Sequence, residues 1–185
     1  LGLKRGDRIA VFSPNTVDAM ELYLAIVTSG YVSLMLPAAL DGNTLDALCK
    51  KFKISCLFYD ESLKAVADKA AIRKYNTVYC AAKPIDAAEV TKDTVCSICL
   101  TGGTTGVPKG AVMTHGAIMR GAFNGCFAPG ETLYQRYIAI LPLSHIFGLV
   151  RGFLSCLYTG GLVFECRDVK SAFAQIPVLK PTILV

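Results

Sequence analysis

A chain of 185 residues is close to one domain or one large piece of a domain, taking about 150 residues per domain. Hydrophobic residues at 53% against 18% charged exclude intrinsic disorder, and 16 glycines with 8 prolines exclude collagen-like or low-complexity chains. Lys+Arg 19 against Asp+Glu 14 gives a charge of +5, spread along the chain rather than gathered into a patch, so no nucleic-acid partner is expected.

In chain order, Arg8 to Ser13 (RIAVFS) predicts a strand, and Pro14-Asn15-Thr16 opens a helix with Asn15 or Thr16 as its cap. Val17, Met20, Leu24 and Val27 then form one apolar helical stripe, with Asp18 and Glu21 off it. Leu22 to Leu40 is 19 residues without a charge, long enough to raise a membrane span. Thr28-Ser29-Gly30 reads as a helix stop, however, and Pro37 interrupts the apolar run beyond it. The run therefore divides into a helix end and a buried strand from Tyr31 to Leu36, and no transmembrane segment is expected.

Asn43-Thr44 starts the next helix, carrying Leu45, Leu48, Cys49 and Phe52 on one side. Ser55 to Tyr59 predicts a strand, Glu61 to Lys74 a helix, and Thr77 to Cys80 a strand. After a polar connector near Lys83 to Lys92, Val95 to Leu100 is a strand of nearly continuous apolar character. Ala111 to Met113 is a further short strand, followed by a helix from His115. Tyr137 to Leu141 predicts a strand, Phe147 to Tyr158 a helix, Leu162 to Glu165 a strand and Asp168 to Leu179 a helix. Buried strands alternating with helices specify an α/β fold, a mostly parallel sheet with helices on both faces.

Eight cysteines raise the question of a disulfide framework, but most sit in apolar runs, where a free thiol behaves as a small hydrophobe. No Asn-x-Ser/Thr sequon or signal-like apolar start is present, so a reduced, cytoplasmic setting is expected. Cys96-Ser97-Ile98-Cys99 is formally C-x-x-C. It lacks the second pair that zinc requires, and strand alternation is expected to point the two thiols to opposite faces. Gly148 and Gly152, four apart in an apolar helix, predict close helix–sheet packing. The chain has no initiator Met and stops at Thr182-Ile183-Leu184-Val185 inside a predicted strand, so both ends read as cut from something longer.

The most informative segment is Thr101-Gly102-Gly103-Thr104-Thr105-Gly106-Val107-Pro108-Lys109-Gly110. Four glycines, three threonines and one lysine come directly after a buried strand. Glycines let bare backbone N–H groups approach phosphate oxygens, the hydroxyls add donors, and Lys109 adds a point charge. A glycine-rich hairpin turn is the alternative, but a turn needs one or two glycines and gains nothing from three hydroxyls. The spacing is neither GxxxxGK[ST] nor GxGxxG, which disfavours a P-loop and a dinucleotide site.

The segment TGGTTGVPKG followed by AVMTHGAI resembles the phosphate-loop signature of the adenylate-forming superfamily, which includes acyl-CoA synthetases, peptide-synthetase adenylation domains and beetle luciferases. Leu141-Pro142-Leu143-Ser144-His145-Ile146-Phe147-Gly148 is similar to that family's PLxHxxG segment. The stretches GDRIAVFSPNTVDAMELYLAIVTSGYVSLMLP and KPTILV resemble its flanking elements, so the likeness runs the length of the chain. The resemblance implies that residues 1–185 are part of a large N-terminal AMP-binding domain.

It implies in turn MgATP-dependent activation of a carboxylic acid to an acyl-adenylate, followed by transfer to coenzyme A. Thr101, Gly102, Gly103, Thr104, Thr105, Gly106 and Lys109 would meet ATP phosphates and then pyrophosphate. His145 would line the carboxylate end of the acyl pocket, with helix capping as its alternative role. Gly102, where many members carry serine, is similar to some bacterial long-chain fatty-acid ligases and leans the substrate toward a fatty acid. His115, beside Thr114 at a predicted helix start, reads as structural. The family's Tyr-Gly-x-Thr-Glu segment with its Mg²⁺-holding Glu, its ribose-binding Asp and its catalytic lysine do not occur before Val185. No catalytic residue or metal ligand is therefore assigned to the 185 residues. They read as an N-terminal-domain fragment inactive on its own or, alternatively, as a catalytically inactive nucleotide-binding or scaffold module.

Overall fold

A computed structural model describes residues 2–77, 88–101, 108–126, 133–166 and 168–184. Its centre is a six-stranded sheet of β1 (Arg8–Phe12), β2 (Val32–Leu36), β3 (Cys56–Tyr59), β4 (Lys74–Asn76), β5 (Val95–Thr101) and β6 (Lys109–Thr114). The spatial order is β4-β3-β1-β2-β5-β6. All neighbours pair parallel except β5 and β6, which form an antiparallel hairpin at one edge. Mostly parallel sheet is what the apolar strand runs predict.

The two-residue period of β1 explains how both faces are covered. Ile9 and Val11 join α1 (Val17–Thr28), α4 (His115–Cys126) and part of the helix after Ile146 in one core. Ala10 and Phe12 join α2 (Gly42–Lys51) and Ala67 of α3 (Lys64–Ala67) in the other. A strand buried on both sides cannot alternate polar with apolar, hence RIAVF.

Caps set the helix starts. Thr16, not Asn15, caps α1, accepting from the Ala19 amide at 3.2 Å. Gly30 ends that helix with φ +79, a conformation that L side chains rarely adopt, so the membrane-length apolar run is broken where sequence predicts. Asp41 caps α2 through the Asn43 and Thr44 amides, starting the helix one residue before Asn43. Among the described residues no helix is long and apolar enough to cross a membrane.

Several sequence expectations are corrected. The helix predicted from Glu61 to Lys74 is a 3₁₀ turn (Glu61–Leu63) and the short α3, because Asp60 caps the turn through Ser62 and the chain must return to the sheet at Lys74. The strand predicted from Thr77 to Cys80 is displaced to Lys74–Asn76, and Val78 to Cys80 lie outside the described residues. The strand predicted from Tyr137 to Leu141 is shorter: β7 (Arg136–Ile138) leaves the main sheet aside and pairs parallel with β8 (Leu162–Phe164), while Ile183 bridges Tyr137.

The helix predicted from Phe147 is π-helical over Phe147–Leu154 and α-helical in α5 (Ser155–Tyr158). Its Gly152 lies against the Tyr137 ring of β7, the close helix–strand approach that the two glycines predict. The last helix, α6 (Val169–Leu179), is capped by Asp168 through the Ser171 amide.

Cys96 and Cys99 do not point to opposite faces. A bulge between Val95 and Ser97 shifts the register against β6, so Cys96 joins the α1-side core and Ser97 Oγ reaches Tyr23 OH at 3.0 Å. Regular alternation from Ser97 onward sends Ile98 to the α2 side and Cys99 back to the α1 side. One extra residue in a strand resets which side chains share a face. Both thiols are free and buried.

Candidate active site at the carboxyl edge of the sheet

In an open α/β sheet, helices leaving neighbouring strands toward opposite faces leave a crevice at the strands' carboxyl ends. Here β1 leads to α1 on one face and its neighbour β2 to α2 on the other. A cavity of about 410 Å³ lies at this divergence, lined by residues 13–15 after β1, 37–39 after β2, 140–144 after β7, and by Cys166, Asp168 and Val169 after β8. Burying such a cavity between loops is the ordinary way this architecture makes a ligand site.

The glycine-rich segment opens at the same edge. Counting on from the Ser33–Ser97 pair along parallel β2 and β5 brings Thr101 level with Pro37, which lines the cavity. Thr101 pairs with Lys109 across the hairpin, its hydroxyl 3.4 Å from the Lys109 carbonyl, and both residues are exposed. The segment is therefore the connection of a hairpin, with residues 102–108 between the paired ends, longer than the usual connection of about two to five residues. Gly102, Gly103, Thr104, Thr105 and Gly106 lie outside the described residues.

The base of the hairpin is fixed from α2. Lys51 Nζ donates to the Pro108 carbonyl at 2.8 Å, and a side chain at Gly110 would meet the Phe52 ring at 2.6 Å and the Ile98 methyl at 2.7 Å. Gly110 thus serves packing, the role a close approach demands of it.

The second signature segment lies on the other wall of the cavity. His145 is exposed; its Nδ1 accepts from the Phe147 amide at 3.2 Å, and its own amide donates to the Pro142 carbonyl. In this arrangement it caps the π-helix, leaving Nε2 as the ring position that a ligand could meet. A π-helix directly after such a residue is a feature common at functional sites. His115 starts α4, with Thr114 accepting from the Ala117 amide as the cap, and burial pushes the His115 imidazole below its ordinary value.

The residue that sequence reasoning missed is Asn15. It is 7% exposed, and its Nδ2 donates to the carbonyls of Ala139 at 2.6 Å and Leu141 at 2.9 Å. Its Oδ1 accepts from the Leu143 amide at 2.9 Å. These partners are 124 to 128 residues away in sequence, so no local pattern could point to them. Among the described residues no cluster of three or more His, Cys, Asp or Glu could hold a metal ion.

The model of the AMP-binding enzyme family matches residues 1–185. The chain belongs to that family. It is 25% identical over 215 aligned positions to fatty acyl-CoA synthetase A of Dictyostelium discoideum, covering all of this chain and 32% of that protein. It is 31% identical over 187 positions to a feruloyl-CoA synthase of Amycolatopsis, covering 94% of this chain and 38% of that protein.

Among solved structures it is similar to the O-succinylbenzoate coenzyme A synthetase of Bacillus subtilis in complex with ATP and magnesium ion. The TM-score is 0.82 at 21% identity, over 98% of this chain and 50% of that one, a likeness that shows the fold. The chain thus spans about a third to two fifths of the two curated relatives named above.

Proposed function

We propose that the protein carrying these residues activates a carboxylic acid with MgATP, releasing pyrophosphate, and passes the acyl group to coenzyme A. Residues 1–185 form part of its large N-terminal domain. The observation that carries this reading is the placement of Thr101 and Lys109 at the carboxyl edge of the sheet, level with Pro37 on the crevice whose other wall leads to His145.

In the reaction a carboxylate oxygen attacks the α-phosphorus of ATP and the bond to the pyrophosphate oxygen breaks, so negative charge grows on the leaving group. We assign the stabilisation of that charge to Lys109 and to the backbone and hydroxyl donors of segment 101–106, since fixed donors at a developing charge are the largest single contribution in many enzymes. The His145 segment holds the carboxylate end of the acid against the nucleotide. Family membership supports the reaction class; Gly102 and the Dictyostelium relative support a fatty acid as substrate.

The test is acid-dependent exchange of labelled pyrophosphate into ATP by the full-length natural protein, across fatty, aryl and dicarboxylic acids. Exchange that is fastest with fatty acids is the expected result. Exchange that is fastest with an aryl acid overturns the substrate reading. Nucleotide binding without exchange for any acid overturns the enzymatic reading in favour of an inactive binding module.

A further inference from the structure

We infer that Asn15 is a positioning residue for the carboxylate wall of this site, setting the place of segment 139–145 and, through it, of His145. The inference rests on the reading of that edge as an acid-activating site.

A neutral side-chain amide offers two donors and a carbonyl acceptor. Asn15 turns both donors on one segment, at Ala139 and Leu141, and takes the Leu143 amide on its oxygen. The partners fall at every second residue, from Ala139 past the bend at Leu141 to Leu143, which lies inside the turn closed by the His145 amide and the Pro142 carbonyl. At 7% exposure the amide has no ready replacement by bulk water. Neither is it needed to start α1, since Thr16 supplies that cap.

Its three hydrogen bonds are therefore directed at a distant part of the chain, which among the described residues β8 meets upstream, through the Ala139 amide and the Phe164 carbonyl. Beyond Ala139, Asn15 adds directed hydrogen bonds to the apolar packing of Ile140 on the Cys166 cluster and of Leu143 in the α1-side core, and so sets where the terminal turn presents His145. Without it, two carbonyls and one amide lose this partner, and the apolar packing and the β8 contact alone are left to place the segment. A misplacement of about 1 Å at a reacting group can cost on the order of 10²-fold in rate.

The experiment measures pyrophosphate exchange by the full-length natural protein and its Asn15→Ala variant, with kcat, the KM for the acid and the KM for ATP determined separately. Thr16→Ala, which weakens α1 at the neighbouring position, is the structural control, and the Tm of each protein is recorded. Expected for Asn15→Ala is a fall in kcat or a rise in the acid's KM on the order of 10²-fold, with the KM for ATP unchanged. Thr16→Ala should lower Tm without that split.

If Asn15→Ala does not fold, Asn15→Asp takes its place. It keeps an acceptor for Leu143 but sets oxygen against the carbonyls of Ala139 and Leu141, and the same split is expected. An active parent whose Asn15 variant keeps its acid kinetics, or loses ATP and acid kinetics equally, overturns the inference alone. A parent that exchanges with no acid overturns the functional reading and this inference together.

Discussion

The two signature segments lie toward the same edge of the main sheet but are supported in opposite ways. The hairpin that opens with Thr101 and closes with Lys109 is held by its own strands, β5 and β6, with help from Lys51 at the end of α2 and Phe52 just after it. The segment leading to His145 leaves a two-stranded sheet and is held by an asparagine 124 or more residues earlier. A ladder of local pairs tolerates the loss of any one contact. A single buried amide with three partners does not, because its removal leaves all three unsatisfied at once. The difference separates a segment placed by its own ladder from one placed by a distant side chain.

The largest effect should come from the chemistry of the locally held segment. Lys109→Ala in the full-length natural protein should slow adenylation by roughly 10²–10³, the cost of losing one transition-state donor, with the fold unchanged because Lys109 is exposed. Pyrophosphate exchange with a circular dichroism control checks it, and a fully active variant would remove Lys109 from the mechanism.

Next comes the hairpin's support. Gly110→Ala should destabilise the chain by about 1–3 kcal/mol through overpacking against Phe52 and Ile98, read as a lower Tm. An unchanged Tm would show that the hairpin base can give way and is not fixed by packing.

A smaller effect is expected at Thr16, beside the asparagine. Thr16→Ala should cost about 1 kcal/mol, the usual worth of a helix cap, in urea or thermal unfolding. A loss several times larger would mean that the cap and the Asn15 clamp act as one unit.

The buried thiols of the core have their own signature. Burial pushes the Cys49, Cys99 and Cys156 thiols up from 9.0 to about 11. Between those values the unfolded chain has lost thiol protons that the folded chain keeps, so the thiols' contribution to stability should be steady below pH 9 and fall as pH rises through the window. Urea titrations across that range check the slope, and replacing Cys99 with Ala should make it shallower.

Legibility in the sequence tracks locality. Strand and helix order along β1, α1, β2 and α2 reads from apolar period and caps, since both are properties of neighbouring residues. The hairpin strand beginning at Lys109 shows in the sequence only as Ala111 to Met113. The face shared by Cys96 and Cys99 escapes sequence reading because a bulge adds one residue to a count that alternation takes as regular.

The π-helix gives no separate signal, since its apolar residues and glycines fit an α-helix equally well. At the site, Thr101 and Lys109 stand out by composition. Asn15 looks like a helix cap because Asn after Pro at a strand end is a good cap sequence, and its true partners lie at the other end of the chain.

Amide hydrogen exchange on the parent and its Asn15→Ala variant, read at both segments, is the most direct measurement of this division of support. Expected is a loss of protection at the Leu143 amide and through residues 139–145, with the amides of β5 and β6 exchanging as in the parent. Equal loss in both segments, or no change at Leu143, would contradict it.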